Sequence, residues 1–152
     1  MEAIWQWGLE FIHAIQVVGG PALTLIFKAI TFLGEEDFFM LLLPLTLWCV
    51  DFAGGTRLAV LFLLSTYAND ALKDLFAHPR PFELDQTVKL HDVGGHGLPS
   101  GHSQSAVVVW GTLAAEFRKR WVWGVAISLM VLIGFSRIYL GVHYPTDILA
   151  GM

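Results

Sequence analysis

Long apolar blocks separated by short polar breaks make up most of this 152-residue chain. Five of them predict one helix each: residues 21–33, 37–50, 57–76, 100–117 and 121–139. Because a membrane crossing takes about 20 residues, the blocks favour a bundle of membrane-spanning helices. A sixth helix begins near Tyr144, but ten residues rise only about 15 Å. We expect this helix to be cut short and the natural chain to continue past Met152.

Two places in this pattern are less regular. The block at 21–33 is short for a crossing and contains Lys28, so it either takes length from the helix before it or tilts while Lys28 reaches the membrane surface. A tight turn is expected at residues 51–56, which include Gly54 and Gly55. Residues 77–99 are rich in proline, glycine, histidine and charge, and they predict an active-site loop without regular structure.

Residues 1–18 form a different kind of segment, in which polar side chains recur every three or four positions. The polar positions are Glu2, Gln6, Glu10, His13 and Gln16. Apolar side chains such as Trp5 and Ile12 take the opposite face. The pattern predicts an amphipathic helix lying in the membrane interface, which ends at the Gly19-Gly20-Pro21 break.

Composition agrees with a membrane protein. The chain is 55% hydrophobic and only 14% charged, whereas ordinary soluble domains carry roughly 25% charged residues. Its length fits one domain, residues 1–152. The net charge of −4 provides no basic surface for nucleic acid, and Cys49 has no second cysteine with which to form an internal disulfide.

The basic residues indicate an orientation. Arg57 and the Arg118-Lys119-Arg120 cluster lie at one end of the expected bundle, and the residues that carry chemistry lie at the other. The positive-inside rule places the first end in the cytoplasm. We therefore expect an integral protein of the bacterial inner membrane with its site on the non-cytoplasmic side.

The first candidate fragment is Lys73 with Arg80-Pro81. Pro79 and Pro81 make the backbone around Arg80 stiff and extended, which suits an arginine whose planar group must meet phosphate oxygens. A lysine reaching toward the membrane surface and an ordinary loop arginine would give the same pattern. These residues alone do not decide between the two interpretations.

Ser100-Gly101-His102 follows Pro99 and opens a predicted helix. The first amides of a helix lack internal partners and point toward an anion placed there. Ser100 can cap the helix, Gly101 lets a phosphate approach the backbone, and His102 can donate a proton to a leaving oxygen. A capping serine beside a surface histidine is equally compatible with this fragment.

Ser136-Arg137 follows an uncharged stretch that begins at residue 121, and an ionisable group inside a membrane segment is by default functional. His143 and Asp147 are four positions apart, so on a helix Asp147 could accept a hydrogen bond from one imidazole nitrogen. The other nitrogen would then be free as a nucleophile. A histidine at a helix start with an acid nearby is also a frequent coincidence.

Together, Lys-x6-Arg-Pro, Pro-Ser-Gly-His and Ser-Arg-x5-His-x3-Asp resemble the signature of the phosphatidic acid phosphatase type 2 and vanadium haloperoxidase superfamily. Residues 73–147 carry the resemblance, and every signature position is filled. The resemblance implies an all-α integral membrane bundle of six helices, here with the last one cut short. It also implies a single membrane-embedded phosphatase domain.

The resemblance further implies a role for each motif residue. His143 is expected to be the nucleophile that forms a phosphohistidine, Asp147 its orienting partner, and His102 the general acid and then the base. The expected phosphate ligands are Lys73, Arg80, Ser100, Gly101 and Arg137. Because three cations can offset the charge that develops on the phosphoryl oxygens, neither a metal nor another cofactor is expected.

The loop at 77–99 contains further histidines, His78, His91 and His96, together with Asp92. Their spacing fits no common pattern of metal ligands. We expect them to be solvated or to gate the substrate, with His96 close enough to the motif to contact the leaving group.

The expected activity is hydrolysis of a membrane lipid phosphate. Candidate substrates are an isoprenyl diphosphate such as undecaprenyl diphosphate, phosphatidic acid and phosphatidylglycerol phosphate. A phosphatase or phosphotransferase for a soluble ester, resembling glucose-6-phosphatase, would share the motifs. The apolar spans argue against a vanadate-dependent haloperoxidase. The intact His102, His143 and Asp147 argue against an inactive lipid-binding or transport relative.

Overall fold

The computed structural model describes residues 2–152 and contains no strand within them, in agreement with the all-α prediction. Its α-helices are α1 (Glu2–Val18), α2 (Pro21–Phe32), α3 (Glu36–Leu45), α4 (Phe52–Phe76), α5 (Pro81–Leu84), α6 (Gly101–Phe117), α7 (Arg120–Tyr139) and α8 (Pro145–Gly151). Met1, which the sequence placed in the first helix, lies outside the described residues.

The bundle is organised around α6, which packs along α4 on one side and along α7 on the other. One apolar cluster joins α3, α4 and α6 through Phe39, Leu58 and Val109. A second cluster joins α1, α7 and the 77–99 loop, with Ile12 and Val88 fully buried in it. The first cluster therefore holds α6 against α3 and α4, and the second holds the 77–99 loop against α1 and α7.

Helix α1 is amphipathic as predicted, but its polar face binds the 77–99 loop. The Nε2 atom of His13 lies 2.8 Å from Oδ2 of Asp85. Gln16 donates from Nε2 to the carbonyl oxygens of Val88 and Tyr139, at 2.9 and 2.7 Å. Two of the five polar side chains predicted for this face are therefore bound to the protein, while Glu2, Gln6 and Glu10 are exposed.

The expected turn at residues 51–56 is wrong. Asp51 accepts a hydrogen bond from the Gly54 N–H at 2.5 Å and caps α4, which therefore begins at Phe52. Gly55 lies directly against the backbone of Leu47, so a side chain there would have no room. Gly55 thus permits close packing in the first turn of α4, and neither glycine lies in a turn.

The expected single helix at 37–50 changes its hydrogen-bond pattern part-way. Helix α3 contains Pro44, and the residues Thr46–Val50 that follow are π-helical. Proline lacks the N–H needed for the regular i→i−4 bond and its ring crowds the preceding turn, and such sites are where helices bend or widen. The Asp51 N–H accordingly donates to the Thr46 carbonyl at 3.1 Å.

The 77–99 loop is not wholly irregular, in contrast to the prediction. Pro81 begins the short α5, since proline is well suited to the first position of a helix. A 3₁₀ turn follows at Gln86–Val88, where Asp85 accepts from the Thr87 N–H at 2.9 Å. These turns leave residues 89–99 as the part of the loop without helical structure.

Many large apolar side chains are exposed on the outer faces of the helices, including Leu25 on α2, Leu63 on α4 and Trp121 on α7. Exposed apolar surface of this extent is typical of contact with a membrane or a partner. Within the described residues, α7 is long and apolar enough to cross a membrane by itself, while α1 and α2 qualify only as a pair bent by 119°. Length and composition thus mark fewer spans than the sequence blocks predict.

Candidate active site

The three motif fragments meet in one cavity of about 190 Å³, where α4 ends and α6 begins. Six of the expected site residues line it: Lys73, Arg80, Gly101, His102, Arg137 and His143. Pockets that enclose whole drug-sized ligands have volumes of roughly 300–1,000 Å³. This smaller cavity suits a head group more than a complete lipid.

Arg80 is buried, and the surrounding loop holds its guanidinium group. Its Nε donates to the Gly95 carbonyl and its Nη2 to the Gly94 carbonyl, both at 2.7 Å. Its Nη1 donates to the Val142 carbonyl at 3.0 Å and lies 3.3 Å from Nε2 of His143. The rigid mounting expected from the flanking prolines is therefore present, and the loop carbonyls supply much of it.

Arg137 occupies the last turn of α7 and is only 1% exposed. Its Nη1 donates to the hydroxyl of Thr31 on α2 at 2.9 Å, but its Nε has no hydrogen-bond partner among the described residues. A buried donor left without a partner costs free energy. An anion bound in the cavity would supply the missing acceptor.

Gly101 brings the start of α6 close to Lys73 on α4. A Cβ built at Gly101 would lie 3.1 Å from Oδ1 of Asn69 and 3.3 Å from Nζ of Lys73. The first amides of α6 have no partners within the helix. The absence of a side chain therefore lets these amides and the Lys73 ammonium group serve the same small cavity.

Ser100 caps α6 as expected, but it is not among the residues that line the cavity. Its Oγ accepts from the Ser103 N–H at 3.4 Å and lies 3.1 Å from the Ser103 hydroxyl. Its own N–H donates to the Asp147 carbonyl at 3.0 Å. These contacts tie α6 to α8, so a direct bond from Ser100 to phosphate stays a prediction.

His143 lies in the turn between α7 and α8, so the expectation that it shares a helical face with Asp147 is wrong. The two residues meet because Asp147, in the first turn of α8, folds back over the turn. Its Oδ2 accepts from the Tyr144 N–H at 2.9 Å and lies 3.4 Å from Nδ1 of His143. This leaves Nε2 of His143 on the side of Arg80.

The two site histidines are suited to different tasks. Burial, with the nearby guanidinium groups of Arg137 and Arg80, lowers the pKa of His143 well below its usual value. A neutral imidazole keeps the lone pair that a nucleophile needs. His102 lines the same cavity, and its buried Nε2 has no hydrogen-bond partner within residues 2–152. That nitrogen is available to exchange a proton with a ligand.

Residues 54–152 match the PAP2 superfamily. The chain belongs to this superfamily. Sphingosine-1-phosphate phosphatase 2 of Mus musculus is 31% identical over 135 residues, which cover 84% of this chain and 38% of the mouse protein. Phosphatidylglycerophosphatase B of Bacillus subtilis (strain 168) is 30% identical over 151 residues, covering 91% of this chain and 72% of that protein.

The crystal structure of a transmembrane PAP2-type phosphatidylglycerolphosphate phosphatase from Bacillus subtilis has the same fold. It superimposes with a TM-score of 0.85 at 26% identity, covering 99% of this chain and 80% of that chain. This likeness, together with the exposed apolar helix faces, identifies the chain as an integral membrane protein. The expected family and its helical architecture are confirmed, although the chain spans well under half the length of the mouse relative.

Several residues in the PAP2 cavity were not predicted from the sequence. They are Gly34, Glu36, Thr66, Asn69, Asp70, Val93, Gly94 and Ser105. Thr31, which supports Arg137, was also missed. The polar cavity residues on α4 are Thr66, Asn69 and Asp70, and they precede Lys73 at intervals of three or four positions. This helical spacing was the one sequence signal that could have indicated them.

The loop histidines lie in three different settings. His96 is exposed and does not line the cavity, so its expected contact with a leaving group has no support. His91 lies 3.6 Å from Glu35, and burial lowers its pKa. His78 lies beneath Asp147, at 3.7 Å from that carboxylate. Within residues 2–152, no group of three or more histidine, cysteine or acidic side chains is placed to hold a metal ion.

Proposed function

We propose that this protein is a metal-independent lipid phosphate phosphatase that acts through a phosphohistidine intermediate. The observation that carries the proposal is the 3.3 Å approach of Arg80 Nη1 to His143 Nε2 inside the cation-lined cavity. A phosphate bound by the guanidinium group would place its phosphorus beside the nitrogen that attacks it. The family relationship supports the same chemistry.

In the first step, Nε2 of His143 attacks phosphorus and forms the P–N bond while the P–O bond to the alcohol breaks. His102 donates a proton to the departing oxygen. In the second step, His102 removes a proton from water, the resulting hydroxide attacks phosphorus, and the P–N bond breaks to release phosphate. Lys73, Arg80 and Arg137 offset the charge on the phosphoryl oxygens throughout.

The distribution of charge in the cavity favours a particular head group. Arg80 and Arg137 are buried, whereas Glu36 and Asp70 line the cavity at exposed positions. A second phosphate at the exposed side would be repelled by these carboxylates, but a hydroxyl or ammonium group could bind to them. We therefore propose a lipid phosphomonoester, such as phosphatidylglycerol phosphate or sphingosine 1-phosphate, ahead of undecaprenyl diphosphate.

The proposal includes a location. Arg57 and the Arg118-Lys119-Arg120 cluster lie at the end of the bundle away from the cavity, at the start of α4 and between α6 and α7. The positive-inside rule assigns that end to the cytoplasm. The substrate would accordingly enter from the outer leaflet of a bacterial inner membrane, with its tails in the bilayer and its phosphate in the cavity.

The test is phosphate release by the purified protein in detergent, with excess chelator. The panel contains phosphatidylglycerol phosphate, sphingosine 1-phosphate, undecaprenyl diphosphate and glucose 6-phosphate. A fifth substrate, N-acetylsphingosine 1-phosphate, matches sphingosine 1-phosphate but lacks the ammonium charge. We expect release from the lipid monoesters, fastest where the head group carries a donor near the phosphate.

Each alternative has its own outcome in this panel. Faster release from undecaprenyl diphosphate would contradict the monoester assignment, and glucose 6-phosphate as the preferred substrate would contradict a lipid enzyme. Release that requires added metal would contradict the mechanism. Absence of release from every lipid by folded protein would indicate an inactive relative.

A further inference from the structure

The carboxylate of Asp147 lies between two imidazoles, of which the PAP2 motif includes one. Its Oδ2 is 3.4 Å from Nδ1 of His143, and its Oδ1 is 3.7 Å from Nδ1 of His78. Asp147 is fully buried, and its Oδ1 has no hydrogen-bond partner among the described residues. The Nδ1 atom of His78 is likewise buried without a partner within residues 2–152.

Trp5 determines which ring nitrogen of His78 carries the proton. The indole Nε1–H donates to Nε2 of His78 at 2.8 Å. Because an indole nitrogen can only donate, Nε2 of His78 must be the acceptor and carry no proton. The proton of neutral His78 is then on Nδ1, the nitrogen that faces Oδ1 of Asp147.

We infer that His78 is a positioning residue for the nucleophile and that Trp5 sets its tautomer. His78 donates its Nδ1–H to Oδ1 of Asp147, which holds the carboxylate with Oδ2 toward Nδ1 of His143. His143 is thereby kept with Nε2 directed at phosphorus. This inference rests on the proposed phosphatase function.

The surroundings of His78 support a fixed position. The Gly97 N–H donates to the His78 carbonyl at 2.8 Å. A Cβ at Gly97 would lie only 3.3 Å from Oδ2 of Asp147, so the loop passes close over the carboxylate. The ring of Tyr144 packs edge-on against His78, with centroids 6.0 Å apart. The imidazole is therefore enclosed by α1, the loop and the start of α8.

The two distances from Asp147 to its imidazoles exceed normal hydrogen-bond length. Catalytic hydrogen bonds are often long in ligand-free structures and shorten when substrate binds. Each carboxylate oxygen of Asp147 faces a different ring, so the two contacts do not compete for one acceptor atom. A histidine that merely fills space would need neither a particular tautomer nor this carboxylate.

The inference also gives α1 a task beyond packing. Trp5 is on α1, and the same helix is anchored to the loop through the pair of His13 and Asp85. Hydrogen bonds from Thr87 and then from His13 lower the pKa of Asp85 to about 2, so this anchor has its carboxylate ionised. Helix α1 thus contacts the 77–99 loop at two points, through Trp5 at His78 and through His13 at Asp85.

The test compares His78→Asn with His78→Leu, which have similar size and shape. The asparagine amide can donate from the position of Nδ1, whereas leucine cannot. We expect His78→Leu to lower kcat by about 10- to 100-fold, the range found when a residue that orients a metal-bound histidine is removed. KM should change little because His78 does not line the cavity. His78→Asn should retain kcat within about 3-fold.

A second comparison does not depend on the leucine variant folding. Trp5→Phe removes the indole donor while keeping an aromatic ring, so it should lower kcat about 3-fold in the wild-type background and have no further effect on kcat in His78→Asn. Equal losses from Trp5→Phe in both backgrounds, or equal kcat values for His78→Asn and His78→Leu, would overturn the inference. An inactive wild-type protein would instead reject the phosphatase function itself.

Discussion

Both ends of the bundle have charged residues near a cavity, but within residues 2–152 the charged residues at one end lack hydrogen-bond partners that those at the other end have. At the motif end, Arg137 and Asp147 are buried and each keeps a polar atom without a partner in the described part of the chain. At the other end, a cavity of about 260 Å³ adjoins Asp51 and Glu116. Asp51 caps α4, and Glu116 pairs with the exposed Arg57.

A buried charge with incomplete hydrogen bonding indicates a ligand-binding site more clearly than the mere presence of charged residues does. Burying an ion costs several kcal/mol unless its partners are well placed, so an incompletely satisfied buried arginine persists where a ligand completes it. Exposed ion pairs cost little to form and contribute little. The comparison predicts that substitutions at the motif end alter turnover, whereas those at the opposite end alter stability slightly.

The largest effect is expected for His143→Ala. Because this change removes the proposed nucleophile and with it the P–N intermediate, kcat should fall by about 10⁴-fold or more. Phosphate release in detergent measures the loss, and thermal unfolding establishes that the variant is folded. His96→Ala is the matched control, because His96 lies on the same side of the protein but is exposed outside the cavity. Retention of a few per cent of activity by folded His143→Ala would reject a covalent role.

An intermediate effect is expected for His102→Asn, and it should depend on the substrate. A poor leaving group such as an alkyl alcohol needs a proton as the P–O bond breaks, so kcat should fall by about 10²–10⁴-fold. A nitrophenyl ester needs no such proton, and the formation of the phosphohistidine should be nearly unaffected. A pre-steady-state burst of nitrophenol measures that step separately from hydrolysis. Equal losses for both esters in the first step would exclude the acid role.

The helices and the motif residues could be predicted because they depend on local patterns. Apolar blocks indicate the helices, and the order of Lys73, Arg80, His102 and His143 indicates the chemistry. Local patterns also explain the errors: Gly54 and Gly55 resemble turn residues, but both lie in a helix, and the backbone of Leu47 is what requires the small size of Gly55. The spacing of four between His143 and Asp147 suggested a helical face that the turn does not have.

Contacts between distant segments account for what the sequence did not reveal. Thr31 supports Arg137 across 106 positions, and Trp5 reaches His78 across 73. Nothing in the neighbourhood of either residue along the chain indicates its partner. The histidine that the sequence favoured, His96, is close to the motif in number and yet lies outside the cavity, while His78 lies 3.7 Å from the carboxylate of Asp147.

The smallest effect is expected for Arg57→Met, at the end of the bundle opposite the site. This change removes the ion pair with Glu116, whose two side chains are 63% and 38% exposed. Exposed pairs contribute roughly 0.2–1 kcal/mol to the free energy of unfolding, so the melting temperature in detergent should fall slightly. Turnover should remain within about 2-fold of wild type, since Arg57 is not among the residues that line the motif cavity. The paired variant Glu116→Gln should give the same small loss, and the double variant no more than either single one. A large loss of turnover with the fold intact would show that the two ends are coupled through α4 and α6, and the contrast between them would no longer mark where the chemistry is.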